Sequence, residues 1–227
     1  MAAPASKTIG DLGGKWVLVS FILIFVPGHD TYLLYPLTAL KEWFGVYPLN
    51  KTLSDPTDPA LALQGIGWLL RKGIGAATVT IQVRQYADAA SATHIDIEQS
   101  ASGLTGTTEN RVLDWTAREH KDWLFGRVHG RSKFVTPAEL AALLAPGGEA
   151  RGEGWVDSDF LAQDWRDGDG DGDRFVLNHV RADAGWFATQ VWGFQDIGGE
   201  RRYVRNVVVA KGDKFESFKM IYDFVSE

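Results

Sequence analysis

The sequence predicts an all-β fold, an antiparallel up-and-down β-barrel of about nine or ten strands with a short helical lid. Three observations predict it. From residue 77 onward apolar and polar residues alternate with a period of two, the pattern of strands with one buried face. The segments Ile197-Gly198-Gly199-Glu200 and Lys211-Gly212-Asp213 have hairpin composition. Consecutive strands joined by such short turns close most simply into a meander barrel.

The elements follow in order. Gly14-Lys15-Trp16-Val17 reads as the start of a first strand, and Leu49-Asn50-Lys51-Thr52-Leu53-Ser54 reads as its continuation. The expected organisation is one domain over residues 1–227, with 17–48 an insertion of the kind a retained intron would leave. Asp58 to Lys72 follows Asp55 and Pro56 and places apolar residues at Leu61, Leu63, Ile66 and Leu70, which predicts a helix lying across one end of the barrel. Strands are then expected at Ala77 to Tyr86, His94 to Ser100, Thr107 to Asp114 and Trp123 to Ser132. Thr136-Pro137 caps a second short helix reaching about Leu144. A Gly/Asp-rich loop region, 145–173, precedes strands at Phe175 to Arg181, Trp186 to Gln195, Arg201 to Lys211 and Lys214 to Phe224.

Composition narrows the function. The net charge of −6 and the lack of a Lys/Arg stripe argue against nucleic acid, whose phosphates demand clustered positive charge. There is no cysteine, which removes disulfides, thiolate nucleophiles and Cys-based metal sites, and leans toward a cytoplasmic location. The apolar run within residues 17–26 falls short of the roughly twenty residues a bilayer span requires. A signal peptide is disfavoured too, because no small-x-small cleavage site follows that run. The run Asp167-Gly168-Asp169-Gly170-Asp171-Gly172-Asp173 matches the start of an EF-hand loop, but Asn178 stands at the twelfth position in place of the bidentate Glu. It is read as a solvated acidic loop, and calcium is expected to be irrelevant.

No Gly-x-Ser-x-Gly elbow, phosphate loop, His-Glu-x-x-His or dinucleotide fingerprint is present, and the five histidines lack ligand spacing. No metal site and no cofactor is expected. What remains is the interior of the barrel, for which nine Trp, six Tyr and twelve Phe supply aromatic surface. Strand alternation turns Phe218, Met220, Tyr222 and Phe224 to one face of the last strand, and Trp186, Ala188, Gln190, Trp192 and Phe194 to one face of an earlier one. Both sets are expected to point inward. In Arg201 to Lys211, alternation leaves two choices, Tyr203, Arg205, Val207 and Val209 or Arg202, Val204, Asn206 and Val208.

The order Gly-Lys-Trp-Val, Asn-Lys-Thr-Leu-Ser-Asp, then strands resembles the calycin superfamily, the lipocalins and fatty-acid-binding proteins, whose barrel encloses one apolar cavity. The closing strands look like those of fatty-acid-binding proteins, where an inward Arg on the penultimate strand and an Arg-x-Tyr on the last grip a carboxylate. This resemblance puts Arg205 inward and matches Tyr222 to the Tyr, whereas Met220 replaces the second Arg and removes a bidentate contact. The whole pattern, including His94-Ile-Asp-Ile-Glu-Gln and Leu113-Asp-Trp-Thr-Ala-Arg-Glu-His, also resembles a fungal family of lipocalin-like proteins. Some of its members are hetero-Diels-Alderases that join a tropolone-type o-quinone methide to a humulene-type sesquiterpene.

That resemblance implies a pericyclase of meroterpenoid secondary metabolism that works without a cofactor, with hydrophobic small molecules, tropolone-type and terpene, as its partners. The alternative is a carrier that binds one hydrophobic metabolite and transforms nothing. Tyr203, Arg205 and Tyr222 are the expected catalytic hydrogen-bonding groups. Trp115, Trp186, Gln190, Trp192, Phe194, Phe218 and Met220 are the expected substrate-binding groups. No oligomeric state is assigned.

Overall fold

A computed structural model of the chain describes residues 2–18, 21–24, 33–36, 53–101, 104–145, 157–166 and 174–226. The strands are β1 (Gly14–Leu18), β2 (Phe21–Ile24), β3 (Leu33–Pro36), β4 (Val79–Ala87), β5 (Thr93–Ala101), β6 (Leu104–Val112), β7 (Arg118–Asp122), β8 (Gly126–Val135), β9 (Phe175–Ala182), β10 (Phe187–Ile197), β11 (Glu200–Lys211) and β12 (Lys214–Ser226). The helices are α1 (Asp58–Leu63), α2 (Trp68–Ala76), α3 (Pro137–Leu144) and α4 (Ser158–Ala162). β2 and β3 pair with each other as a separate two-stranded sheet. Most of 17–48 and the acidic run 167–173 lie outside the described residues.

The other strands form a ten-stranded antiparallel sheet in the order β6-β5-β4-β1-β12-β11-β10-β9-β8-β7. β1 is the keystone, pairing with β4 on one side and β12 on the other, so that Trp16 faces Ile81 and Phe224 in register. The sheet curls into a half-barrel whose edges, β6 and β7, are consecutive in the chain yet share no ladder among the described residues. The connection between them crosses this seam. Leu113 N–H donates to the Thr93 carbonyl of β5 at 2.9 Å, and Trp115 N–H donates to the Ser132 carbonyl of β8 at 2.8 Å. Asp114 holds the crossing by accepting from Thr116 N–H and from both terminal nitrogens of Arg118.

Alternation sorts the faces. Ile81, Val83, Ile95, Ile97, Val176, Trp192, Tyr203 and Tyr222 form a cluster inside the curl with Trp16 at its centre, and Ile9 and Leu12 pack into it from the N-terminal segment. Leu177, Val191 and Val208 face the other way and are covered by Leu140 and Leu144 of α3 and Leu161 of α4. α3 starts in a full capping box, in which Thr136 accepts from Glu139 N–H at 3.2 Å and Glu139 accepts from Thr136 N–H at 2.7 Å.

Three expectations need correction. The helix anticipated from Asp58 to Lys72 is two helices, because Gly65 takes a φ of +90° and ends α1 there. Ile66 N–H returns to the Leu61 carbonyl, and Arg71 bridges the break through Asp58 and the Ile66 carbonyl. The strand anticipated from Trp123 to Ser132 begins only at Gly126, after a turn, and the polar segment before it forms β7. The short helix α4, inside the expected loop region, was not anticipated.

Candidate active site

The inner cluster forms an aromatic floor. Tyr203 on β11 touches Trp16, Phe194 and Tyr222, with ring centroids 5.2, 6.0 and 5.3 Å away. On this floor lies Arg205, two residues along the same face of β11. Its guanidinium carbon is 4.0 Å from the centroid of the Trp192 ring and 5.2 Å from that of Tyr222. Its Nε donates to the Tyr203 hydroxyl at 2.9 Å, whereas its Nη2 is buried and has no hydrogen-bond partner among the described residues. Trp192, in turn, donates from Nε1 to Gln190 at 2.9 Å.

The charge of Arg205 is balanced from β6. Glu109 faces inward opposite Ile97, and Arg111, two residues on, donates to it at 2.5 Å while lying over the Trp192 ring at 5.4 Å. Burial works to raise the Glu109 carboxyl, but Arg111 and Arg205 outweigh it and hold the group ionised below the usual range. Burial pushes the Tyr203 hydroxyl up to about 12 against the pull of Arg205, so it stays protonated at neutral pH. Burial also opposes the charge on Arg205, but Tyr203, Tyr222 and Glu109 together bind its proton more firmly than usual.

Above the floor opens an apolar cavity of about 590 Å³. Leu61 of α1, Leu70 and Ile74 of α2, and Trp123 and Phe125 of the β7–β8 turn border it, and Val207, Val209, Phe218 and Met220 supply the sheet wall. Its polar groups are few: Gln99, Thr107, Glu109, Gln190 and Arg205 among them. A second compartment of about 380 Å³ lies at the β6–β8 seam, where Arg111, His120, Arg131, Ser132 and Trp186 line it. Glu109, Gln190, Gln64, Phe125 and Ala188 border both, so the two spaces adjoin.

The anticipated residues therefore divide. Arg205, Gln190, Phe218 and Met220 line the cavity, and Trp186 and Gln190 line the seam compartment. Tyr203, Tyr222, Trp192 and Phe194 sit beneath, buried in the floor, where they support Arg205 and do not border either space. The Tyr222 hydroxyl is directed to the Met220 sulfur at 3.9 Å. Trp115 is a correction: at a φ of +61° on the crossing loop, it packs with the cluster beneath α3 and α4 and carries Arg131 and Lys133 over its ring, 4.3 and 4.8 Å away. It borders neither compartment. Glu109 and Arg111 were missed, because a Thr-Thr-Glu-Asn-Arg strand reads as solvated; its two-residue spacing of opposite charges was the available signal.

The fold and site define an all-β antiparallel half-barrel with an apolar cavity and the buried guanidinium of Arg205 at its base. No protein-family model matches the chain. Two curated fungal proteins resemble it: "Probable pericyclase scpY" of Mollisia scopiformis is 28% identical over 82% of this chain and 91% of the relative. "Pericyclase pydY" of an Acremonium species is 25% identical over 88% of this chain and 96% of the relative. Crystal structures of the fluorescent protein UnaG, as a mutant and as wild type, are 13% and 12% identical, with TM-scores of 0.49 and 0.46. They cover 95% and 94% of this chain and 97% of each UnaG chain. Both of these fungal relatives, matched over most of their length, are named pericyclases.

Proposed function

We propose that the chain is a pericyclase that performs a hetero-Diels-Alder reaction, in which an oxygen-bearing o-quinone methide adds to the alkene of a sesquiterpene inside the cavity. The observation that carries the reading is Arg205: a buried guanidinium at the base of a largely apolar space. A cycloaddition needs no nucleophile, and its catalyst must position two partners and favour the charge that develops on one oxygen. The hydrocarbon would lie against Val207, Val209, Phe218 and Met220, and the carbonyl oxygen of the partner would accept from the Arg205 guanidinium. As electron density moves to that oxygen in the transition state, the contact strengthens, which is the condition for a rate effect.

The test mixes purified protein with α-humulene and an o-quinone-methide precursor and resolves products by chiral chromatography. One stereoisomer is expected in excess over the uncatalysed mixture. Arg205→Leu should lower the rate by about 1–3 kcal/mol of barrier, the cost of one lost charge-assisted hydrogen bond, and Arg205→Gln, which keeps a donor, should lose less. A product ratio equal to the uncatalysed one, with tight binding of either component, would establish a carrier instead.

A further inference from the structure

We infer that Glu109 is a ligand-binding residue, and that the cavity takes an apolar molecule carrying a neutral hydrogen-bond donor, a hydroxyl or an N–H, which the carboxylate accepts. The inference deepens the proposed reading by naming a feature of its ligand, and rests on that reading only for the cavity as the place where the ligand sits. The register of the sheet puts the carboxylate there. β6 pairs with β5 so that Glu109 stands opposite Ile97 and Thr107 opposite Gln99. Ile97 belongs to the inner cluster, so by alternation Gln99, Thr107 and Glu109 share its face.

These three residues give the cavity a polar wall, whereas Val207, Val209, Phe218 and Met220 give it an apolar one. Such a space suits a molecule with one polar edge. Of the charged groups at this site, Glu109 is the one a ligand meets. Its side chain keeps 34% of its accessible surface against 13% for Arg111, and Arg205 is only 6% exposed. Arg111 occupies the carboxylate at Oε2, and Oε1 accepts from no group among the described residues. Glu109 also borders both the main cavity and the seam compartment, so a ligand in either space adjoins it.

The chemistry of the group then selects its ligand. An ionised carboxylate accepts and never donates, so the ligand must bring the hydrogen. A hydrocarbon pressed against Glu109 would strip water from a charged oxygen and return nothing, which is unfavourable. A hydroxyl or N–H replaces that water with a charge-assisted hydrogen bond, stronger than one between neutral groups. A ligand carboxylate would instead set a second negative charge beside the first, and repulsion disfavours it.

The experiment titrates the protein at pH 7 with three probes built on one ring system, 2-naphthol, 2-methoxynaphthalene and 2-naphthoate, and follows binding by calorimetry. 2-Naphthol should bind about five- to tenfold more tightly than its methyl ether, as one added hydrogen bond requires, and more tightly than the carboxylate. Glu109→Gln keeps the shape and removes the charge. It should shrink the advantage of naphthol over the ether about threefold and strengthen naphthoate by about the same factor. A methyl ether or a naphthoate that binds the wild type as tightly as 2-naphthol would overturn the inference, and so would a folded Glu109→Gln with unchanged preferences. Should that variant fail to fold, the wild-type comparisons alone decide. Product formation is read separately: a naphthol preference without product sinks the pericyclase and leaves Glu109 as the ligand's acceptor, and product without that preference does the reverse.

Discussion

The Tyr203 hydroxyl aims Arg205. Tyr203→Phe leaves the buried Arg205 Nε without its acceptor, so the variant should lose about 1–3 kcal/mol of stability, measured by urea denaturation, and turnover should fall with it. Tyr222→Phe removes only a weak contact to sulfur and should change both far less. A second residue sets the acid limit. His179, buried on the outer face against the Phe187 ring, shares a hydrogen bond of 3.0 Å with Thr189, and burial, aided by the Arg131 charge, depresses its imidazole to about 3. The native state holds it neutral while the unfolded chain protonates it near pH 6.5, so its contribution is intact above that pH and is lost as pH falls toward 3. The loss reaches up to about 1.4 kcal/mol per pH unit. Denaturation midpoints between pH 7 and 4.5 should fall more steeply in wild type than in His179→Asn, the ionised carboxylates contributing equally to both. Neither role was legible in the sequence: His179 lies in a run of apolar neighbours, and Glu109 looks solvated until the curl of the sheet brings β6 against Arg205.

At the level of elements, the inward faces of β10 and β12 could be read before any coordinates, because a period-two alternation over eleven to thirteen residues admits only two arrangements and the aromatic set marks the inner one; in β11 both faces are apolar enough that alternation left the choice open. β7 could not. Its residues, Arg118-Glu-His-Lys-Asp, are polar throughout, and an edge strand that pairs on one side keeps no alternation to read. The same strands carry one close approach that composition conceals. A Cβ at Gly193 of β10 would meet the Trp165 ring at 2.8 and 2.9 Å and Phe175 at 3.1 Å. Gly193→Ala should therefore push Trp165 from its place and cost about 1–3 kcal/mol, the usual penalty of overpacking. Thermal denaturation gives the size of the effect. An unshifted melting temperature would show that the covering helices yield without cost.

Across the whole molecule, the sheet is one strip with a single seam, and its stability should vary along that strip. Amides of β10 and β11, paired on both sides, should resist hydrogen exchange, and the seam-facing amides of β6 and β7 should exchange faster, as mass spectrometry of peptic fragments would detect. Uniform protection would mean that the seam is sealed in solution. The seam also determines where the chain's ends fall. β1 and β12 are neighbours in the middle of the strip, so the ladder between them joins the two extremes of the sequence, and most of the others close across hairpins. A permuted chain, with the residue before β1 linked to the residue after β12 and new ends opened at 114–117, would run from one edge of the strip to the other in order. It would keep every ladder while turning the most distant pairing into a local one. Because folding slows with the sequence distance its contacts must bridge, this permutant should reach the same sheet faster than the native order does, a difference that stopped-flow refolding would measure.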